Sequence, residues 1–207
     1  MKKILGIFIL AFSLSCAAGA GPIGLGLKAG IDLDNQNSAG PGMGVTQATL
    51  VGVTGGAFAD IQLAGPFYVQ PEAEYIQKGA QFNVSLMNLN TTDNFLYEYL
   101  EIPLLLKAQT ELVPGLKGYL LAGPALAFLL TETTTVTGPG AGASANDTRF
   151  YPNTEWSLAF GGGVEFQGFL LDIRYDLGLD SASQTQFPNS QYGQNNALSF
   201  DLGYRLF

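Results

Sequence analysis

The chain has 207 residues, about one domain's worth, and carries 17 acidic against 9 basic residues for a net charge of −8; only 13% is charged, while 27 glycines and 12% aromatics favour β structure with tight turns over helices or disorder. The acid excess disfavours nucleic acid as a partner, because phosphate binding needs a Lys/Arg surface. Histidine is absent, which removes the usual general base, the usual zinc ligand and every Ser-His or Cys-His nucleophile, so no enzyme, metal or other cofactor is expected.

Residues 1–20, MKKILGIFILAFSLSCAAGA, open with Lys2 and Lys3, continue through an apolar run and end in small residues. This three-part pattern predicts a secretory signal cleaved after Ala20, leaving a domain of 21–207. Cys16 offers a rival reading as a lipidated first residue, but the position three residues upstream, where a Leu-like residue is usual, holds Ser13. Cleavage after Ala20 leaves a chain without cysteine, hence without a disulfide.

After residue 20 no apolar run is long enough for a transmembrane helix. What recurs is alternation with period two, the mark of a strand with two unlike faces. In 23–33 the odd residues Ile23, Leu25, Leu27, Ala29, Ile31 and Leu33 oppose Gly24, Gly26, Lys28, Gly30 and Asp32. In 51–63, Val51, Val53, Ala57, Ala59, Ile61 and Leu63 oppose Thr54, Asp60 and Gln62, and in 67–78, Phe67, Val69, Ala73 and Tyr75 oppose Gln70, Glu72, Glu74 and Lys78. Segment 96–107 sets Leu100, Ile102, Leu104 and Leu106 against Tyr99, Glu101 and Lys107. Segment 116–130 is apolar on both faces, with Gly123 as the marker of the inner one. In 155–166, Trp156, Leu158, Phe160, Val164 and Phe166 oppose a face ending in Glu165; in 169–179, Leu171, Ile173, Tyr175, Leu177 and Leu179 oppose Asp172, Arg174 and Asp176. The eighth segment, 197–207, places Leu198, Phe200, Leu202, Tyr204 and Leu206 opposite Ser199, Asp201, Gly203 and Arg205.

The connections alternate in length: 34–48, 79–94, 131–154 and 180–196 are long and polar, while 64–66, 108–115 and 167–168 are short. Eight alternating segments with all long loops at one end predict an all-β, eight-stranded antiparallel up-and-down transmembrane barrel in an outer membrane. A soluble lipocalin-like barrel binding an apolar ligand is the competitor, but it would turn its apolar face inward. Here charge shares a face with the small residues, and the interior of an eight-stranded barrel is only wide enough for side chains to fill. Two aromatic girdles fit the membrane reading: Phe95, Tyr97, Phe150, Tyr151 and Trp156 at the long-loop end, and Phe67, Tyr68, Phe166, Phe169 and Phe207 at the short-turn end.

The series GLGLKAGIDLDN, YVQPEAEYIQKGA, YLEIPLLLKAQ, YLLAGPALAFLL and LSFDLGYRLF resembles the PorT-like outer-membrane β-barrel family, in the same order and over nearly the whole chain after residue 20. The resemblance implies a small barrel of OmpA/OmpX-like architecture in a Gram-negative outer membrane. It implies no single biochemical activity.

The residues expected inside are Lys28, Asp32, Asp60, Glu72, Glu74, Lys78, Glu101, Lys107, Glu165, Asp172, Arg174, Asp176, Asp201 and Arg205. Buried charge is costly without a partner, so these should form a structural polar network that plugs the lumen. A small passive, cation-preferring channel is the alternative. The carboxylate pairs Glu72/Glu74 and Asp172/Asp176 follow from strand spacing alone and give no case for catalysis. Likewise Gly161-Gly162-Gly163 lies inside a strand pattern, without the Lys and helix of a phosphate loop. The expected partners are outer-membrane lipid, the barrel-assembly machinery and an extracellular partner met through the four long loops. Phe207, a terminal aromatic, resembles the signal such machinery reads, although Arg205 stands where a second aromatic is common.

Overall fold

The computed structural model of the protein describes residues 23–36, 45–86, 89–137, 144–147, 154–181 and 194–207. The predicted leader 1–20 lies outside the described residues, as do Phe150 and Tyr151. Nine strands follow in chain order: β1 (Ile23–Gln36), β2 (Val45–Ala64), β3 (Phe67–Leu86), β4 (Leu89–Val113), β5 (Leu116–Thr137), β6 (Ser144–Asp147), β7 (Thr154–Phe166), β8 (Phe169–Ser181) and β9 (Gln194–Arg205). All neighbours are antiparallel, in the order β4-β3-β2-β1-β9-β8-β7-β5, and a β4–β5 pairing closes the ring of eight. β6 stands outside the ring and, among the described residues, pairs with the far part of β5. Closure leaves no strand edge unpaired around the barrel wall, the condition for a sheet surrounded by lipid.

The period-two pattern explains the wall. Along β9, Phe200, Leu202 and Tyr204 are exposed while Ser199, Asp201 and Gly203 are buried, and the same division runs through β1, β7 and β8. β5, the segment without a polar face, buries Tyr119, Leu121, Ala125, Ala127 and Leu129, and Gly123 falls on that inner face. Apolar side chains also fill part of the interior, where Phe58, Ile76, Leu105, Tyr119, Leu121 and Leu170 are buried. They fill two apolar plugs, one around Phe58, Leu105 and Tyr119 and one around Ile76, Tyr99 and Leu129. Tyr97, expected in the outer girdle, packs against the second plug instead, because it shares the phase of Tyr99.

The tight ends are Gly65-Pro66, Pro114-Gly115 and Gln167-Gly168, where Gly65, Gly115 and Gly168 take positive φ of 53°, 84° and 87° that a side chain would disfavour. The connection expected at 108–115 is thus mostly strand. At the other end the described part of 79–94 is strand rather than loop: β3 and β4 pair down to Leu86 opposite Leu89. In 131–154 the strand β5 runs on to Thr137 and β6 pairs back onto it. A membrane crossing takes only about 9–11 tilted residues, so β3, β4 and β5, with 20, 25 and 22 residues, overshoot and form a sheet beyond the barrel. The middles of the other two long connections, 37–44 and 182–193, lie outside the described residues, while their ends belong to strands β1, β2, β8 and β9.

Candidate functional site

Lys28, Asp32, Asp60, Glu72, Glu74, Lys78, Glu101, Lys107, Glu165, Asp172, Arg174, Asp176 and Asp201 are buried, and Arg205 is partly so. Each sits on an inward position because its strand alternates in step with small or polar neighbours.

At mid-height, Glu72 and Glu74 of β3 are held from two sides. Lys28 of β1 pairs with Glu72 at 2.7 Å and also with Glu74. Arg174 of β8 places one nitrogen 2.9 Å from Glu72 and another 2.7 Å from Glu74, with Asp176 at 3.3 Å and Glu101 at 3.8 Å. Gln70 adds a hydrogen bond to Glu72, and Lys78 pairs with Glu101 at 3.0 Å. Two carboxylates this close repel, and cations on both flanks make the arrangement tenable.

A second group fills the short-turn end. Asp60 of β2 lies 3.2 Å from Lys107 of β4 and 2.5 Å from Arg205 of β9, and Arg205 continues to Glu165 at 2.8 Å. Gln109 donates to Glu165, Tyr119 donates to Asp172, and Lys107 stands over the Tyr119 ring at 4.2 Å. Towards the opposite end, the Tyr99 hydroxyl donates to Glu155 at 2.7 Å. Gln70, Gln109, Tyr119 and Glu155 are members that the sequence reading did not assign. Gln70 and Gln109 were detectable, since each lies two residues from an assigned charge on the same face, Glu72 and Lys107.

Two predicted members are not drawn into these pairs. Both carboxylate oxygens of Asp32 and of Asp201 are buried without a hydrogen-bond partner among the described residues. Buried acids also outnumber buried bases, ten Asp and Glu against Lys28, Lys78, Lys107 and Arg174. Among the described residues no group of three or more acidic side chains is arranged to hold a metal ion. Gly161-Gly162-Gly163 lies within β7 and borders no helix; a Cβ at Gly161 would come within 2.3 Å of the Ile173 carbonyl. Phe207 is largely exposed, and its carbonyl accepts from the Leu25 amide at 3.1 Å while Leu206 donates to the Leu25 carbonyl, so the β9–β1 ladder runs to the last residues.

A closed antiparallel ring with an apolar outer surface and its charges turned inward defines an integral outer-membrane β-barrel. The chain belongs to the outer membrane protein beta-barrel domain family, whose model matches residues 19–184, and its place is the outer membrane. Similar solved structures include Neisserial surface protein A, at 11% identity and a TM-score of 0.48 over 90% of this chain and 97% of that one. OprG from Pseudomonas aeruginosa shows 11% identity and a TM-score of 0.48 over 88% and 95%. Ail of Yersinia pestis, solved with the heparin analogue sucrose octasulfate, shows 15% identity and a TM-score of 0.42 over 88% and 99%. No curated protein matches the chain.

Proposed function

We propose that the protein is a plugged barrel whose work is done at the membrane surface by the strands and loops that rise beyond it, with no catalytic role for its lumen. The observation that carries this reading is the pairing of Arg174 on β8 with Glu72 and Glu74 on β3. The two strands are four apart in a ring of eight, so this bond runs from wall to opposite wall. The apolar plugs above and below it add to the obstruction. Planar-bilayer recording tests the reading: the expected result is a silent membrane, and steady, reproducible unitary currents would overturn it.

One observation favours a second reading, a narrow cation-preferring path. The interior carries more acids than bases, and Asp32 and Asp201 stand outside the ion pairs. Within the family, the ordered series from GLGLKAGIDLDN to LSFDLGYRLF supports a PorT-like barrel. On that reading outer-membrane lipid is the solvent of the wall, the assembly machinery reads the strand ending in Phe207, and an extracellular partner meets the connections within 34–48, 79–94, 131–154 and 180–196.

A further inference from the structure

Five buried side-chain oxygens that have no hydrogen-bond partner among the described residues gather around one glycine, Gly30. Asp32, two residues further along β1, brings both of its carboxylate oxygens, Asp201 of β9 brings both of its own, and Thr54 of β2 brings its hydroxyl. All three residues are turned inward, at 0%, 1% and 5% exposure. The register explains the gathering. Gly30 stands opposite Thr54 on one side and Asp201 on the other, while Asp32 lies in the next inward-facing row. A Cβ at Gly30 would collide with Oδ1 of Asp201, so that carboxylate leans over the bare glycine. Gly52, opposite Asp32 on β2, keeps the adjoining position bare as well.

The cations nearby are committed elsewhere. The charged groups acting on Asp32 include Lys78, Asp34, Asp176 and Glu101, and Lys78 is paired with Glu101 at 3.0 Å. Those acting on Asp201 include Lys28, Glu74, Arg174 and Asp172, and both cations among them are held by Glu72 and Glu74. Ser199, opposite Asp32 on β9, donates to the Arg174 carbonyl at 3.5 Å, which leaves its oxygen able only to accept. Two carboxylates buried in this way are costly unless something positive lies between them.

Oxygen donors of this kind, charged and hard, select a hard cation. Diagonal neighbours on adjacent strands lie about 7–8 Å apart, a span that two carboxylates bridge through one ion at bond lengths of about 2.4 Å. A monovalent ion would leave one buried charge uncompensated, and a divalent ion leaves none. Ca²⁺ accepts irregular oxygen sets, whereas Mg²⁺ demands a near-ideal octahedron. The geometry points to a calcium site over Gly30, held by Asp32, Asp201 and Thr54, with water completing the shell because the carboxylates number two rather than three. Such an ion is part of the plug and is independent of what the membrane surface contacts.

The test uses the full chain in phosphatidylcholine nanodiscs stripped with EDTA, with nanodiscs lacking the barrel as the blank. Calorimetric titration with CaCl2 should find one ion per barrel, and MgCl2 should bind more weakly. Calcium at about a hundred times its Kd should raise the folded-to-unfolded ratio in urea about a hundredfold. The double variant D32N/D201N keeps the shape of both side chains and removes both charges, so it should abolish the titration and make stability indifferent to calcium. Thr54→Val should weaken binding about tenfold or more in a barrel whose heat-dependent gel shift is unchanged, and it decides the question alone if the double variant does not fold. No binding, tighter binding of Mg²⁺, or equal stability in calcium and in EDTA would overturn the proposal. So would an affinity that the variants leave unchanged, since the ion would then sit elsewhere on the chain.

Discussion

Arg174 on β8 and Glu72 on β3 meet at 2.9 Å although their strands stand on opposite sides of the ring. The guanidinium fork serves Glu72 with one nitrogen and Glu74 with another, and both carboxylates are fully buried. Arg174→Met would keep most of the side chain's volume and leave two adjacent carboxylates with Lys28 as their remaining cation. We expect a loss of about 3–5 kcal/mol in urea unfolding from lipid vesicles. The companion variant R174M/E72Q should recover much of it, since Lys28 then still balances the one remaining carboxylate, Glu74. A single variant costing less than about 1 kcal/mol would show that the cross-lumen bond is ornamental.

The short-turn group gives a prediction that separates a hydroxyl from a ring. Tyr119 donates to Asp172 and offers its face to Lys107 at 4.2 Å. Tyr119→Phe removes only the donor and leaves Asp172 without that bond, an expected loss of about 1–3 kcal/mol. Tyr119→Leu also removes the cation-π contact, for a further loss on the order of 1 kcal/mol or more. Equal effects of the two variants in the same unfolding assay would show that the ring contact contributes nothing.

Two glycines on opposite faces should respond in opposite ways. A Cβ at Gly123 would lie 2.1 Å from the Leu104 carbonyl oxygen and 2.9 Å from the Leu105 Cα, so the backbone of β4 would have to move. At Gly55, half-buried and in phase with the exposed Val53 and Ala57, the nearest atom is the Lys28 carbonyl oxygen at 3.7 Å, an ordinary contact. Gly123→Ala should therefore cost more than about 2 kcal/mol, while Gly55→Ala should be neutral or stabilise by about 0.5 kcal/mol through a less mobile unfolded chain. Folding yield into detergent micelles, read by the heat-dependent gel shift, would rank them.

The barrel was legible in the sequence wherever one face was charged. Lys28 and Asp32 in β1, Glu72 and Glu74 in β3, and Asp172, Arg174 and Asp176 in β8 each fixed the phase of a whole strand, because a one-residue slip would send charge into lipid. Where both faces were apolar the phase was faint, as in 116–130, where Gly123 alone marked it. The overshooting hairpins were missed for a physical reason. After Lys78 the alternation in the sequence changes phase, polar residues moving to the odd positions 81, 83 and 85, so a reader following one division sees the pattern stop and reads 79–94 as a loop, although strand pairing runs to Leu86 opposite Leu89. Tyr97 was misplaced by the same change of rule. The partners within the lumen were beyond sequence reasoning altogether, since Arg174 and Glu72 are 102 residues apart and meet only once the ring closes.

The lipid-facing surface supplies the last prediction, and its force lies in depth. Leu202 of β9 is exposed on the outer face, and its neighbours across the ladder are Ala29 on one side and Leu171 on the other. Leu206 has the same outward phase but lies at the short-turn end, where its amide is the one that donates to Leu25. Charge on the lipid face of a barrel costs about 2–4 kcal/mol at the midplane and about 0–1 kcal/mol near the interface, where a long side chain can reach the headgroups. Leu202→Arg should therefore destabilise the barrel by about 2–4 kcal/mol in lipid vesicles, and Leu206→Arg by less than about 1 kcal/mol. The two residues are chemically identical and comparably exposed, so a soluble barrel would treat them alike. Equal effects would mean that the apolar belt lies at a different height, and a Leu206→Arg penalty larger than that of Leu202→Arg would move the bilayer midplane to the short-turn end.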